Sequence, residues 1–174
     1  MADIKLRFAV ITISDRCSRG ERDDLTGPAL TSAIKFRGWE VLHTSIIPDD
    51  IEAIRQSLIH LADDTSVHVV LTAGGTGFTT ADVTPEATLS ILEKQAPGLQ
   101  EAIRMASLKI TPHGMLSRGV AGIRSQTLIV NLPGSPKAAV EGFSVLVPVL
   151  PHAVGLMVEP EEASKDHSAP STHR

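Results

Sequence analysis

The sequence predicts an α/β fold, three layers deep, built on a doubly wound and mostly parallel sheet. Three observations carry that expectation. Apolar, β-branched runs of strand length recur at 6–14, 39–47, 67–73 and 125–134 of the 174-residue chain. Stretches of helical period, opened and closed by capping residues, separate them. Strands alternating with helices form right-handed βαβ units, and parallel strands buried on both faces read as continuous apolar runs.

The elements follow in order. LRFAVITIS (6–14) reads as a buried strand, and the polar, Gly-bounded stretch 16–27 as a loop. Residues 28–37 fit a helix with Pro28 in its first turn and Gly38 closing it. WEVLHTSII (39–47) is the second strand. Pro48-Asp49-Asp50 ends it, and either aspartate suits the N-cap of a helix over 51–63 that sets Ile51, Ile54, Leu58 and Leu61 on one face. VHVVLTA (67–73) is the third strand, followed by Gly74-Gly75-Thr76-Gly77. Thr84-Pro85-Glu86 opens a helix with Thr84 as N-cap, and Pro97-Gly98 breaks it before a further helix over 99–108. Residues 110–123, with Pro112, Gly114, Gly119 and Gly122, read as an irregular loop or hairpin. The last strand and its turn are SQTLIVNLPG (125–134), and Pro148 and Pro151 should kink or split the apolar helix over 136–158. One domain is expected over 1–158, with a disordered polar tail over 159–174.

Composition narrows the function. Aromatic residues make up 3% of the chain with no Tyr, so the core is aliphatic and stacking of single-stranded bases has no platform. A net charge of −4 argues against a nucleic-acid partner. A lone Cys17 excludes an intrachain disulfide and a cysteine-based zinc site. The Phe8–Ile13 run is too short for a signal h-region, and no stretch has the length of a membrane span, so the expected location is the cytoplasm, with no membrane partner.

In open α/β sheets ligands bind at the carboxyl ends of strands. Those ends carry Ser14-Asp15, Asp49, the 73–82 loop and the 131–136 turn, which one mouth can collect. Three glycines in four positions let the backbone of Gly74, Gly75, Thr76 and Gly77 approach an anion, with Thr76 adding a hydroxyl. The spacing matches neither a P-loop nor a dinucleotide fingerprint. Asp49 and Asp82, beside a phosphate loop, suit Mg²⁺, which takes a few carboxylates plus waters and substrate phosphates. Each aspartate equally suits an N-cap or a turn. Leu132-Pro133-Gly134-Ser135-Pro136 feeds a helix N-terminus, which attracts anions. Arg118 and Arg124 carry guanidinium groups suited to bidentate phosphate contact, although taken alone an arginine in such a stretch is a solvated surface residue.

Taken together, ITISDRCSRGERDDLTGP (11–28), IIPDD (46–50), LTAGGTGFTTADVTPEAT (71–88), 97–124 and LIVNLPGSPKA (128–138) resemble the molybdopterin adenylyltransferase family, the MogA/MoaB-like fold that includes the G domain of gephyrin. The resemblance implies Mg²⁺- and ATP-dependent adenylylation of the molybdopterin phosphate, releasing pyrophosphate, in molybdenum cofactor biosynthesis. It puts Asp49 and Asp82 at the catalytic and metal-holding carboxylates, with Gly74 to Gly77 against phosphates. It sets Ser14, Asp15, Ser117, Pro133, Gly134 and Ser135 around the same mouth. It also implies a homotrimer and a molybdenum-insertion partner protein. A molybdopterin-binding protein or scaffold without catalysis stays open as the alternative. One departure stands out: the residue before Asp82 is Ala81, where the family usually carries Arg, and Arg118 or Arg124 is the candidate substitute.

Overall fold

β-branched and aromatic side chains in the first apolar run favour a pleated, two-sided surface. In a computed structural model describing residues 5–158, that run forms β1 (Arg7–Ile13), with all but its first residue buried. The remaining strands are β2 (Glu40–Ile47), β3 (Val69–Ala73), β4 (Lys94–Gln95), β5 (Ala121–Arg124) and β6 (Thr127–Leu132). They make one sheet in the order β2-β1-β3-β6-β5-β4. The first four are mutually parallel, and β5 and β4 pair antiparallel at one edge. The sequence reading of a mostly parallel sheet therefore holds. The antiparallel edge resolves the choice left open over 110–123: its C-terminal part is the first arm of a hairpin turned by Ser125 and Gln126.

The helices are α1 (Asp15–Ser18), α2 (Thr26–Phe36), α3 (Ile51–Asp63), α4 (Thr84–Leu89), α5 (Pro97–Leu108), α6 (Pro136–Leu146) and α7 (Leu150–Val158), with a 3-10 turn over Pro112–Leu116. Strand alternation divides the core into two layers. Phe8 and Val10 face Leu30, Ile34, Phe143 and Leu146 of α2 and α6. Ala9, Ile11 and Ile13 face Ile54, Leu58 and Leu61 of α3. The chain leaves β1 for β2 through α2 on one face, then returns beside β1 at β3 through α3 on the other. That reversal makes the carboxyl ends of β1 and β3 the topological switch point. Phe8, Trp39 and Phe143, with ring centroids 5.5–6.2 Å apart, are an aromatic trio inside an otherwise aliphatic core.

Some boundaries depart from the sequence reading. The N-cap of α4 is Val83, which carries no side-chain cap, and Thr84 is the first helical residue. The helix stops at Leu89 instead of running to Pro97, because Lys94 and Gln95 leave to pair with Ile123 and Gly122 of β5. α2 begins at Thr26, two residues before Pro28, because the Asp24 carboxylate accepts from the N–H groups of Thr26 and Gly27 (2.9 and 3.0 Å). Pro97 opens α5 instead of preceding it. Pro148 and Pro151 do divide the last apolar run, whose two helices meet at a 62° bend. Among the described residues, no single helix is long and apolar enough to cross a membrane. The tail expected over 159–174 lies outside the described residues.

Asn131, 1% exposed, ties the sheet to the helix behind the site. Its amide donates to the hydroxyls of Thr72 on β3 and Thr88 on α4 (2.9 and 3.0 Å), and its oxygen accepts from the N–H of Val120 (3.1 Å). Asn131→Ala would leave that N–H and the buried Thr72 hydroxyl without a partner, while the Thr88 hydroxyl would keep its bond to the Thr84 carbonyl (2.8 Å). We predict a loss of about 2–4 kcal/mol, read as a lower urea midpoint at unchanged m-value. A loss below about 1 kcal/mol would refute this role for the network.

Candidate active site

The switch point is open. Ser14, Asp49, Gly74, Gly75, Asp82, Gly134 and Ser135 line one cleft of about 310 Å³. Local structure explains why each comes there. Asp50, not Asp49, caps α3, its carboxylate accepting the N–H of Ala53 at 2.8 Å. Asp49 is thereby released to the cleft, where Asp49 and Asp15 exchange hydrogen bonds. The N–H of Asp15 donates to Asp49 Oδ2 (2.8 Å), and the N–H of Asp49 donates to Asp15 Oδ1 (3.1 Å). Asp15 reaches the site through this exchange and does not itself line the cleft. Ser14 caps α1, its hydroxyl accepting from the N–H of Cys17.

The glycines of the loop are required by close approach. Gly74 has φ +114°, and a Cβ there would fall within 3.0 Å of the Ile13 carbonyl. Gly75 has φ +62°, and a Cβ there would run into Thr84 Oγ1 and lie 3.1 Å from Asp49 Oδ1. Gly134 packs on Gly74, so the Pro133-Gly134-Ser135 turn and the glycine loop share a wall. The N–H of Gly74 is used by the sheet, donating to the Leu132 carbonyl (3.1 Å), and that of Gly77 bonds the Asp82 carboxylate. Gly75 is left as the loop's N–H donor on the cleft, whereas Thr76 and Gly77, expected at the same mouth, do not line it because the loop turns inward after Gly75 and buries Thr76.

Asp82 Oδ2 accepts from both the N–H and the hydroxyl of Thr79 (2.8 and 2.6 Å), which fixes its rotamer. The two carboxylates differ electrostatically. Burial lifts the Asp49 carboxyl above its ordinary range; the Asp15 N–H pulls it back, and the charges of Asp15 and Asp82 lift it further. Burial pushes Asp82 the same way, but the Thr79 hydroxyl and N–H, the Gly77 N–H and the Arg118 guanidinium outweigh it, so its carboxyl lies below the ordinary range. Asp82 is thus an anion at neutral pH. Among the described residues, no three His, Cys, Asp or Glu side chains cluster to cage a metal. Asp49 and Asp82 as a pair fit Mg²⁺, which is held by one or two carboxylates and completed by waters and substrate phosphates.

Ser117 and Pro133 stand apart from the cleft. Ser117 ends the 3-10 turn, and its hydroxyl accepts from the Gly119 N–H at 3.4 Å. Pro133 borders a separate cavity of about 30 Å³ between α5 and α6. Arg124 pairs with Asp63 (3.3 Å) away from the cleft. Sequence reasoning passed over Thr12, Arg22, Asp23, Asp24 and Thr26, which also line the cleft. Most of them lie in the stretch read as a plain loop, which folds back over the mouth. The Thr26 hydroxyl donates to the Gly134 carbonyl at 2.8 Å, and the Thr12 hydroxyl donates to Asp24 at 2.8 Å. The density of acidic and hydroxyl residues after β1 was the available signal. A second cavity of about 750 Å³, between α2 and the edge of β2, meets the cleft along Thr12, Asp23 and Asp24.

A glycine loop and two carboxylates at the switch point of a doubly wound sheet place the protein among α/β domains with a candidate ligand cleft at the strand ends. Comparison with known proteins narrows that class. The family described as "Probable molybdopterin binding domain" matches residues 9–152, and the chain belongs to this family. The molybdopterin adenylyltransferase of Helicobacter pylori strain J99 is 39% identical over 155 residues, covering 88% of each chain. Gephyrin of Dictyostelium discoideum is 42% identical over 178 residues, covering 95% of this chain; the chain spans 24% of that protein's length. The crystal structure of the molybdopterin biosynthesis enzyme MoaB of Thermus thermophilus superposes with a TM-score of 0.82 at 44% identity, covering 87% of this chain and 96% of that one.

Proposed function

We propose that the protein is a molybdopterin adenylyltransferase of molybdenum cofactor biosynthesis, transferring AMP from ATP to the terminal phosphate of molybdopterin. The observation that carries this reading is the convergence of Asp49, Asp82, Gly74 and Gly75 on one cleft, in a chain similar along most of its length to a protein named for that activity.

A molybdopterin phosphate oxygen attacks the α-phosphorus of ATP. The bond from that phosphorus to the bridging oxygen breaks, and pyrophosphate leaves. The attacking oxygen is already anionic at neutral pH, so no strong general base is needed. The protein's task is to hold two anions in line and offset their charge. Gly75 donates to phosphate oxygens, and the N-terminus of α6, capped by Ser135, presents its dipole to the same cleft. Asp49 and Asp82 would hold Mg²⁺, which when bound neutralises the triphosphate and the departing pyrophosphate. The two adjoining cavities, which share a border at Thr12, Asp23 and Asp24, suit separate binding of ATP and the pterin.

The reading extends, on family membership alone, to a cytoplasmic homotrimer that passes its product to a molybdenum-insertion partner. Incubation of the purified protein with molybdopterin, ATP and Mg²⁺ tests the activity. Adenylyl-molybdopterin and pyrophosphate should appear in equal amounts. Pterin binding without AMP transfer would instead identify a carrier or scaffold.

A further inference from the structure

We propose that Arg118 positions Asp82 by clamping both ends of the loop from Gly77 to Asp82. Its catalytic consequence rests on the adenylyltransferase reading; the clamp itself does not.

The guanidinium is a planar fork whose donors have fixed directions. Nε donates to the Gly77 carbonyl (2.7 Å) and Nη2 to the Asp82 carbonyl (2.6 Å), so one rigid group sets the distance across the loop. Nη1 pairs with the Glu86 carboxylate on α4, which holds the fork in plane. The backbone N–H of Arg118 donates to the Thr76 carbonyl (3.0 Å), tying down the segment that enters the loop. From the other side, Arg104 reaches the carbonyls of Ser117 and Gly119 (3.5 and 3.2 Å), fixing the residues that flank Arg118. Arg118 does not line the cleft, and each of its three side-chain nitrogens donates to the loop or to α4. It is therefore a positioning residue and not a phosphate ligand. Its charge is the cation that acts on Asp82, in a chain where the neighbouring position is Ala81. Lysine has one ammonium and cannot span the two carbonyls and the carboxylate in one plane.

The test compares wild type with Arg118→Lys, Arg118→Ala and Glu86→Gln. In AMP transfer, Arg118→Lys should lower kcat about 10–100-fold, with the molybdopterin Kd within about threefold of wild type and the thermal midpoint close to it. Free guanidinium ion should restore part of the kcat of Arg118→Ala, and Glu86→Gln should show a smaller loss of kcat than Arg118→Lys. In the ligand-free protein, amide hydrogen exchange over 76–82 should quicken at least about tenfold in Arg118→Ala while α6 stays as protected as in wild type. Unchanged exchange over 76–82, faster exchange everywhere alike, or full kcat in Arg118→Lys would overturn the proposal. If wild type itself transfers no AMP, the functional reading fails, and the exchange comparison still decides the clamp.

Discussion

Asp82→Asn is expected to lower AMP transfer at least about 10³-fold while molybdopterin binding changes by less than about threefold. The substitution keeps an acceptor for the Thr79 N–H and hydroxyl, so the turn that carries residue 82 survives. What it removes is a negative charge that the Thr79 and Gly77 donors and the Arg118 guanidinium keep ionised. In the proposed reaction the pterin would draw on other surfaces, whereas neutralising the triphosphate would need that anion to hold Mg²⁺. Asp82→Ala should be as inactive. Kinetics at saturating ATP with a parallel pterin titration separate the two effects. Turnover within tenfold of wild type in the asparagine variant would remove Asp82 from the chemistry. Asp49→Asn should also lose activity, but its reading is less clean because the Asp49 carboxylate anchors the start of α1 through the Asp15 N–H.

Gly74→Ala should be the most damaging single change to the scaffold of the site. Alanine at φ +114° is strained, and its Cβ would collide with the Ile13 carbonyl, a backbone atom at the end of a buried strand. The loop must move, and Gly134, packed against Gly74, must move with it. A destabilisation of roughly 2–4 kcal/mol is expected, together with loss of AMP transfer even below the new melting midpoint. Gly38→Ala is the control. Gly38 also has positive φ, but a Cβ there meets nothing within 4 Å, so it should cost about 1 kcal/mol and leave activity intact. Equal losses from the two variants would show that backbone conformation, and not the contact with Ile13, explains the glycine at 74.

Much of the fold was legible because strand and helix periods are strong in this chain. The runs 6–14 and 67–73 are too apolar to sit anywhere but the centre of a sheet, and β1 and β3 do sit there. The antiparallel edge was not legible. Its hairpin turns on Ser125 and Gln126, with Ser125 at φ 53°, and no Asn-Gly or Asp-Gly pair announces it. The early end of α4 was hidden for a similar reason. Leu92-Glu93-Lys94-Gln95 has good helix propensity, and pairing with β5 overrides it.

At the site, glycines and carboxylates were visible as residue types, but their division of labour was not. Asp49 and Asp50 are equivalent caps on paper; only the three-dimensional path of β2 into α3 assigns the cap to Asp50 and the cleft to Asp49. Arg118 read as a possible phosphate contact, and the fold turns it instead toward the carbonyls of residues 77 and 82. Asp23 and Asp24 went unnoticed because a loop of polar residues carries no period, and its return over the cleft depends on the long-range bond from Thr26 to Gly134.

A crystal structure with a non-hydrolysable ATP analogue and Mg²⁺ tests the central claim most directly. Phosphate oxygens should lie within hydrogen-bond distance of the Gly75 N–H group, with the metal held between those phosphates and Asp82 and Asp49. A triphosphate bound elsewhere, with residues 74–77 contacting no phosphate, would contradict it.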